Sequence, residues 1–281
     1  MAYLEQAQGR STTAPPIEVI SASTAESAEG QEQEGKSERW APLLIVLALF
    51  AGWEIGVYLG WLSALFFPAP TTIARTFVEQ IRNGELIEAV WVTFGRLLLG
   101  LVSGGMVGLL LGAWMGWSRR VRLVVDPFVA AFHPIPKISI LPLLMIVFGI
   151  GETAKILLVA ITAFFPLLLN TMTAVRQINP LHLEVARHYG ATGTKLLRRV
   201  ILPASLPLML TGVRLALNAA LVMTVAVELL SAQKGLGATI WLAWQTLRTE
   251  ELYVALFTTA LIGIGFNRLL HWCERKFIHW P

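Results

Sequence analysis

The sequence predicts an all-α membrane protein with about six transmembrane helices. Long apolar runs separated by short basic segments carry that prediction, together with a glycine at every fourth position in one run and a shortage of polar residues. Of the 281 residues, 55% are hydrophobic and only 14% are charged, and the mean hydropathy is +0.64. A soluble domain of that composition cannot cover its apolar surface with polar groups, so the bilayer is the solvent it suits. The formal net charge of +4 does not signal nucleic acid, because the basic residues gather between apolar runs instead of forming one stripe. The single cysteine, Cys273, excludes an intramolecular disulfide framework and a cysteine-rich metal site.

A helix needs about 20 mostly apolar residues to cross the hydrocarbon core. Runs of that length, bounded by charge, Gly or Pro, cover residues 42–63, 90–117, 123–150, 153–175, 206–230 and 252–270. Lys and Arg between the runs fall unevenly. Arg119, Arg120, Arg122, Arg176, Arg187, Lys195, Arg198, Arg199, Arg268, Arg275 and Lys276 share one side with Arg10, Lys36 and Arg39, whereas the other side holds only Arg75, Arg82, Lys155, Lys234 and Arg248. The positive-inside rule makes the first set cytoplasmic and places both termini inside. Residues 1–39, rich in Ala, Ser, Thr, Glu and Gln, read as a disordered cytoplasmic tail, and residues 40–281 as the transmembrane domain.

Two of the runs carry special features. The second contains Gly100, Gly104, Gly108, Gly112 and Gly116, a ridge that lets another backbone approach closely where lipid provides no hydrophobic drive. The third is interrupted by His133-Pro134-Ile135-Pro136-Lys137 and again by Leu141-Pro142. Irregular backbone at membrane depth survives only when covered by protein or lining a wet cavity, so this run is the first candidate for a transport path.

The segment 177–207 is too long for a simple connection between helices. Asn179 followed by Pro180 is a helix start, and Leu181, Val185 and Tyr189 recur at four-residue spacing until Gly190 ends the turn. Thr194 is expected to cap a second short helix with Lys195, Arg198 and Arg199 on its polar side, and Pro203 and Pro207 to reset the chain for the next span. Such a projecting element suits a cleft on another protein; an amphipathic loop lying on anionic headgroups is the alternative the pattern leaves open.

At this loop the sequence resembles a known family. Glu184, Ala186, Gly190, Ile201, Leu202 and Pro203 match the Glu-Ala-Ala, spaced Gly and Ile-x-Leu-Pro pattern of permease subunits of ABC importers, with Val185 in place of the middle alanine. From Phe67 onwards, Phe67-Pro68-Ala69-Pro70, Gly84-Glu85-Leu86, Arg96, Asp126-Pro127, Pro134-Ile135-Pro136, Phe148-Gly149-Ile150-Gly151, Asn170-Thr171, Glu228 and Gly235-Leu236-Gly237 are similar to the branch that handles nitrate, sulfonates, taurine and bicarbonate. The resemblance implies a MetI-like fold in a bacterial inner membrane and a permease that pairs with a second copy of itself, two ABC ATPase subunits and an extracytoplasmic solute-binding protein. It also implies that Leu181, Glu184, Val185, Ala186, Tyr189, Gly190 and Ala191 couple the permease to the ATPase. No Gly-x-x-x-x-Gly-Lys-Ser/Thr loop is present, so ATP and Mg are expected on the partner and no cofactor in this chain.

Ionisable residues inside apolar runs are functional candidates by default, and Glu54, Arg96, Lys137, Arg214 and Glu228 qualify. Structural pairing is the expectation for Glu54 and Arg96. Pro134, Pro136, Lys137, Arg214 and Glu228 are candidates for the translocation path, with Lys137 either attracting an anionic solute or snorkelling to an interface. Arg214 and Glu228 share a helix face at a separation that forbids direct pairing. Residues 231–244 are expected to form a short interfacial or re-entrant helix helping to close an outer gate. A secondary transporter is the rival class, but neither an internal repeat nor a coupling-ion site is visible. The histidines form no H-E-x-x-H or similar metal-ligand pattern.

Overall fold

The computed structural model describes residues 44–231 and 233–277. The expected tail, residues 1–39, lies outside them. The chain divides into two compact units after Ser63. The first contributes helix α1 (Leu44–Tyr58), whose fifteen-residue apolar stretch rises about 22 Å. The second unit begins at Ala64 and holds α2 (Pro70–Arg82), α3 (Glu85–Trp117), α4 (Arg119–Phe132), a 3-10 turn (Lys137–Ile140) and α5 (Leu141–Phe148). It continues with α6 (Glu152–Arg176), α7 (Pro180–His188), α8 (Gly193–Leu196), α9 (Leu202–Ser231), α10 (Leu236–Gln245) and α11 (Thr249–Phe277). Among the described residues there is no strand.

Among the described residues four helical stretches are long and apolar enough to span a bilayer, and α4 with the 3-10 turn and α5 together pass the same test as a pair bent by 89°. The bend falls where the sequence places it, at His133 to Pro136. Pro142 makes no second break: it stands in the first turn of α5, where a missing N–H leaves no bond unmade. The expectation that Pro203 and Pro207 reset the chain is corrected in the same way. The helix runs from Gly193 to Ser231 without a break, passing Pro203 through a π-helical turn at Leu197–Ile201 that shifts the hydrogen-bond register, and Pro207 lies inside α9.

The centre of the bundle is the pair α3 and α6. A methyl group placed on Gly104 lies 1.9 Å from the Ala160 carbonyl oxygen, on Gly108 2.5 Å from Phe164 O, and on Gly112 2.4 Å from Leu168 O. At the ends of the ridge, Gly100 meets Val159 at 2.5 Å and Gly116 meets Val175 at 2.6 Å. Both helices advance together along these contacts, so they run parallel and cross at a shallow angle over the full ridge. Helix α9 closes the core against them, with Leu97, Val159, Ala163, Leu167, Ala216 and Ala220 fully or nearly fully buried.

One end of this bundle is fastened by charge. Arg96 on α3 donates from Nε and Nη2 to the two carboxylate oxygens of Glu152 on α6, at 2.5 and 2.8 Å. Its Nη1 donates to Glu228 Oε1 on α9 and to the Lys234 carbonyl, each at 2.7 Å. Glu228 is fully buried, and its other oxygen accepts from Thr93 Oγ1 and from the Gly237 N–H, both at 2.9 Å. Thr93 in turn accepts from the Leu236 N–H at 2.9 Å. The loop before α10 is thus wrapped round a carboxylate. Gly235 has φ +114°, and a Cβ there would fall 2.5 Å from the Glu228 carboxyl group, which explains the Gly-Leu-Gly sequence.

Two outcomes follow from this packing. Gly104→Ala should separate α3 from α6 and destabilise the fold by about 3 kcal/mol, the upper end for overpacking, whereas Gly95→Ala, with open space around it, should leave thermal unfolding unchanged. Glu228→Leu should cost about 3–5 kcal/mol by removing one of the two carboxylates on the buried Arg96 guanidinium and leaving the Thr93 hydroxyl and the Gly237 N–H without their acceptor, read as a lower melting midpoint in detergent.

Candidate functional sites at the cytoplasmic loop and in the bent span

The loop after α6 is a built element rather than a free connection. The Asn179 side chain accepts from the Leu181 N–H at 2.9 Å and caps α7, with Pro180 in the first turn. At the other end the Ala191 N–H donates to Ala186 O and the Gly190 N–H to Arg187 O, both at 2.9 Å. This is the paired bond pattern of a Schellman stop, and it holds Gly190 at φ +78°, where a side chain is strained. The second helix begins at Gly193, with Thr192 rather than the expected Thr194 at its cap position.

The seven residues marked at this loop separate by role. Ala186 and Ala191 pack with Leu183 onto a buried cluster of Val175, Ile178, Leu196 and Ile201, which anchors α7 to the ends of α6 and α9. Leu181, Val185 and Tyr189 form the opposite face and are exposed, Tyr189 to 89%. Glu184 is exposed beside them, and its carbonyl oxygen lies 2.9 Å from His188 Nδ1. The helix therefore presents an apolar surface outwards while small residues seat it from behind. That second, inward face went unread in the sequence because alanines carry little hydrophobic signal.

The bent span encloses the second site. A cavity of 680 Å³ lies between α3, α4, the 3-10 turn and α6, with Phe128, Phe132, Phe164 and Phe165 on its walls. Its lining is apolar apart from Ser103 and Lys137. The Lys137 ammonium donates to the His133 carbonyl and stands 4.8 Å from the Phe165 ring centre. Pro134 and Pro136 are exposed in the bend and shape it without lining the cavity.

The remaining path candidates lie elsewhere. Glu228 is enclosed in the ion network with no exposed surface. Arg214 donates from Nη2 to Glu274 Oε2 at 2.5 Å and lies 3.0 Å from His271 Nδ1, both on α11. One turn along, Asn267 Nδ2 donates to Asn218 Oδ1 at 3.1 Å, so a polar seam ties α9 to α11. Sequence reasoning missed these tertiary partners. Glu152 and Lys155, which complete the network at Arg96, escaped notice because they sit at the edge of an apolar run, where charge is ordinary.

The chain is similar to known proteins in sequence and in fold. The model of the binding-protein-dependent transport system inner membrane component matches residues 104–279. A relative in Bacillus subtilis described as an aliphatic sulfonates transport permease protein, SsuC, is 34% identical over 85% of this chain and 86% of its own length. The taurine transport system permease protein TauC of Escherichia coli is 30% identical over 84% of this chain and 87% of its own. An inward-facing structure of the MetNI methionine ABC transporter superimposes with a TM-score of 0.58 over 71% of this chain and 99% of the matched chain, at 21% identity, and so shares the fold. The chain belongs to the family of binding-protein-dependent transport system inner membrane components: it is the membrane permease subunit of an ABC transporter, a non-catalytic part whose ATPase is a separate subunit.

Proposed function

We propose that the chain forms half of a homodimeric permease, driven by two ATPase subunits that carry ATP and Mg and seat the exposed face of α7, and supplied by an extracytoplasmic binding protein. The observation that carries this reading is the construction of α7. Leu181, Val185 and Tyr189 stand exposed on a helix whose other side is packed and whose stop is fixed by Gly190. An apolar face on a rigid support fits a protein groove better than a lipid surface, since anchoring to headgroups needs no fixed angle between helices. The carrier that works without an ATPase, the rival class for this sequence, is set aside by the family.

Orientation follows from charge. The ends of α3, α6 and α11 near Arg119, Arg176 and Arg275 share the basic side with α7, which makes that side cytoplasmic in a bacterial inner membrane, and the same charge rule applied to Lys36, Arg39 and Lys276 assigns both termini to it. The solute is a small anion, with the sulfonates as the class supported by the named relatives. Lys137 is its contact in the middle of the membrane, a lone cation in an apolar cavity where charge attracts strongly. ATP binding draws the two ATPases together, and α7 transmits that movement to α6 and α9 through the cluster at Val175 and Ile201.

Gly190→Val places a β-branched side chain in the left-handed region at about 1–2 kcal/mol or more, and binding-protein-stimulated ATP hydrolysis in reconstituted complex should fall by roughly tenfold. An unchanged rate sinks the coupling role. Val185→Asp alters an exposed position and should leave permease stability within about 0.5 kcal/mol, yet weaken ATPase association by about 2 kcal/mol. Co-purification at the parent level would instead favour a lipid-facing loop.

A further inference from the structure

At the fastened end of the bundle a cavity of 740 Å³ opens onto Arg96, Glu152 and Lys155, with Trp91, Leu99 and Ile156 among its walls. The groups differ in how firmly they are held. Arg96 and Lys155 have side chains only 5% and 8% exposed, whereas the Glu152 side chain is 56% exposed. Lys155 donates to Glu152 Oε1 at 3.0 Å, its one recorded acceptor among the described residues, and an ammonium has three protons to give. Glu152 is the first residue of α6 and follows Gly149, at φ +84°, and Gly151. The Glu228 carboxylate also touches Arg96, but Thr93 and Gly237 hold it and it has no exposed surface.

We propose that Arg96 and Lys155 form an oxyanion seat at the extracytoplasmic mouth, that Glu152 is its built-in stand-in, and that the anionic head of the solute displaces that carboxylate. The inference deepens the reading of the chain as an anion importer and rests on it. The guanidinium fork of Arg96 grips two oxygens in parallel, the arrangement suited to any planar or trigonal oxyanion. Glu152 must share Oε1 between Arg96 and Lys155; a sulfonate brings a third oxygen and gives each donor its own acceptor. Charge sets the valence. With Glu152 turned to water, Arg96 keeps the carboxylate of Glu228 and Lys155 is left without its carboxylate, which leaves one positive charge for one monovalent anion, since Lys234 is engaged by Glu88 at 2.5 Å. The apolar walls accommodate an organic tail.

The test is equilibrium binding of radiolabelled ethanesulfonate to the permease with its ATPase subunits in lipid nanodiscs. Glu152→Gln removes the competing anion and should bind the probe about tenfold tighter than the parent, Lys155→Met about tenfold weaker, and Lys155→Arg close to the parent. Equal affinities in the parent, E152Q and K155M, in complexes with the parent's elution profile and basal ATP hydrolysis, overturn the seat, as does the absence of saturable binding by E152Q. If E152Q fails to assemble, the Lys155→Met and Lys155→Arg pair decides, because Lys155 contributes a single bond to the network. Uptake by the parent complex with its binding protein separates the two claims. Sulfonate import with seat variants that bind like the parent refutes the seat alone, and a parent complex that imports no anion refutes the anion reading as well.

Discussion

The contact of the α3 backbone with α6 is the constraint on which the rest of the structure depends. In lipid, apolar side chains gain nothing by turning inwards, so helices adhere through close packing and through polar groups that have no other partner. The ridge from Gly100 to Gly116 provides the first of these, with a glycine opposite a backbone carbonyl at Ala160, Phe164 and Leu168. Because the contact runs from Gly100 to Gly116 along α3 and from Val159 to Val175 along α6, the two helices act as one plank. The other spans take their positions from it.

The two ends of that plank are finished differently. At one, Arg96 joins α3, α6, α9 and the approach to α10 through Glu152, Glu228 and the Lys234 carbonyl, so four segments share one guanidinium. A buried network of this kind contributes little net stability over a well-packed apolar core, but it is strongly destabilising when one member is lost, and it fixes which groups meet. At the other end α7 is held by small side chains and a glycine stop, with its large apolar residues left outside. A charge-fastened end and an end that presents an apolar face on a packed support, both on one plank, suit a part that transmits movement rather than absorbs it. Between them the bent span leaves an apolar cavity with a single lysine.

Much of this was legible in the residues. The glycine repeat gave the close helix contact, His133 to Pro136 gave the bend, and Asn179-Pro180 with Gly190 gave the limits of α7, because each is a local signal with one mechanical meaning. The reading of Pro203 and Pro207 as breaks failed for an equally local reason. A proline removes one donor without having to end a helix: a π-helical turn shifts the register just before Pro203, and α9 carries Pro207 in its interior. Assigning Arg214 and Glu228 to a path rested on the cost of charge in lipid, and their partners, Glu274 and Arg96, stand far away in the chain.

The sequence by itself determined the class of protein, the motif loop and its family resemblance, since composition, helical period and capping act over a few residues. The tertiary structure alone decided which charges meet, which face of α7 points outwards, and where cavities lie beside Lys137 and Lys155. Those facts depend on pairings between residues well separated in the chain, such as Arg96 with Glu152 and Glu228, and no short-range pattern encodes the partner of a buried charge.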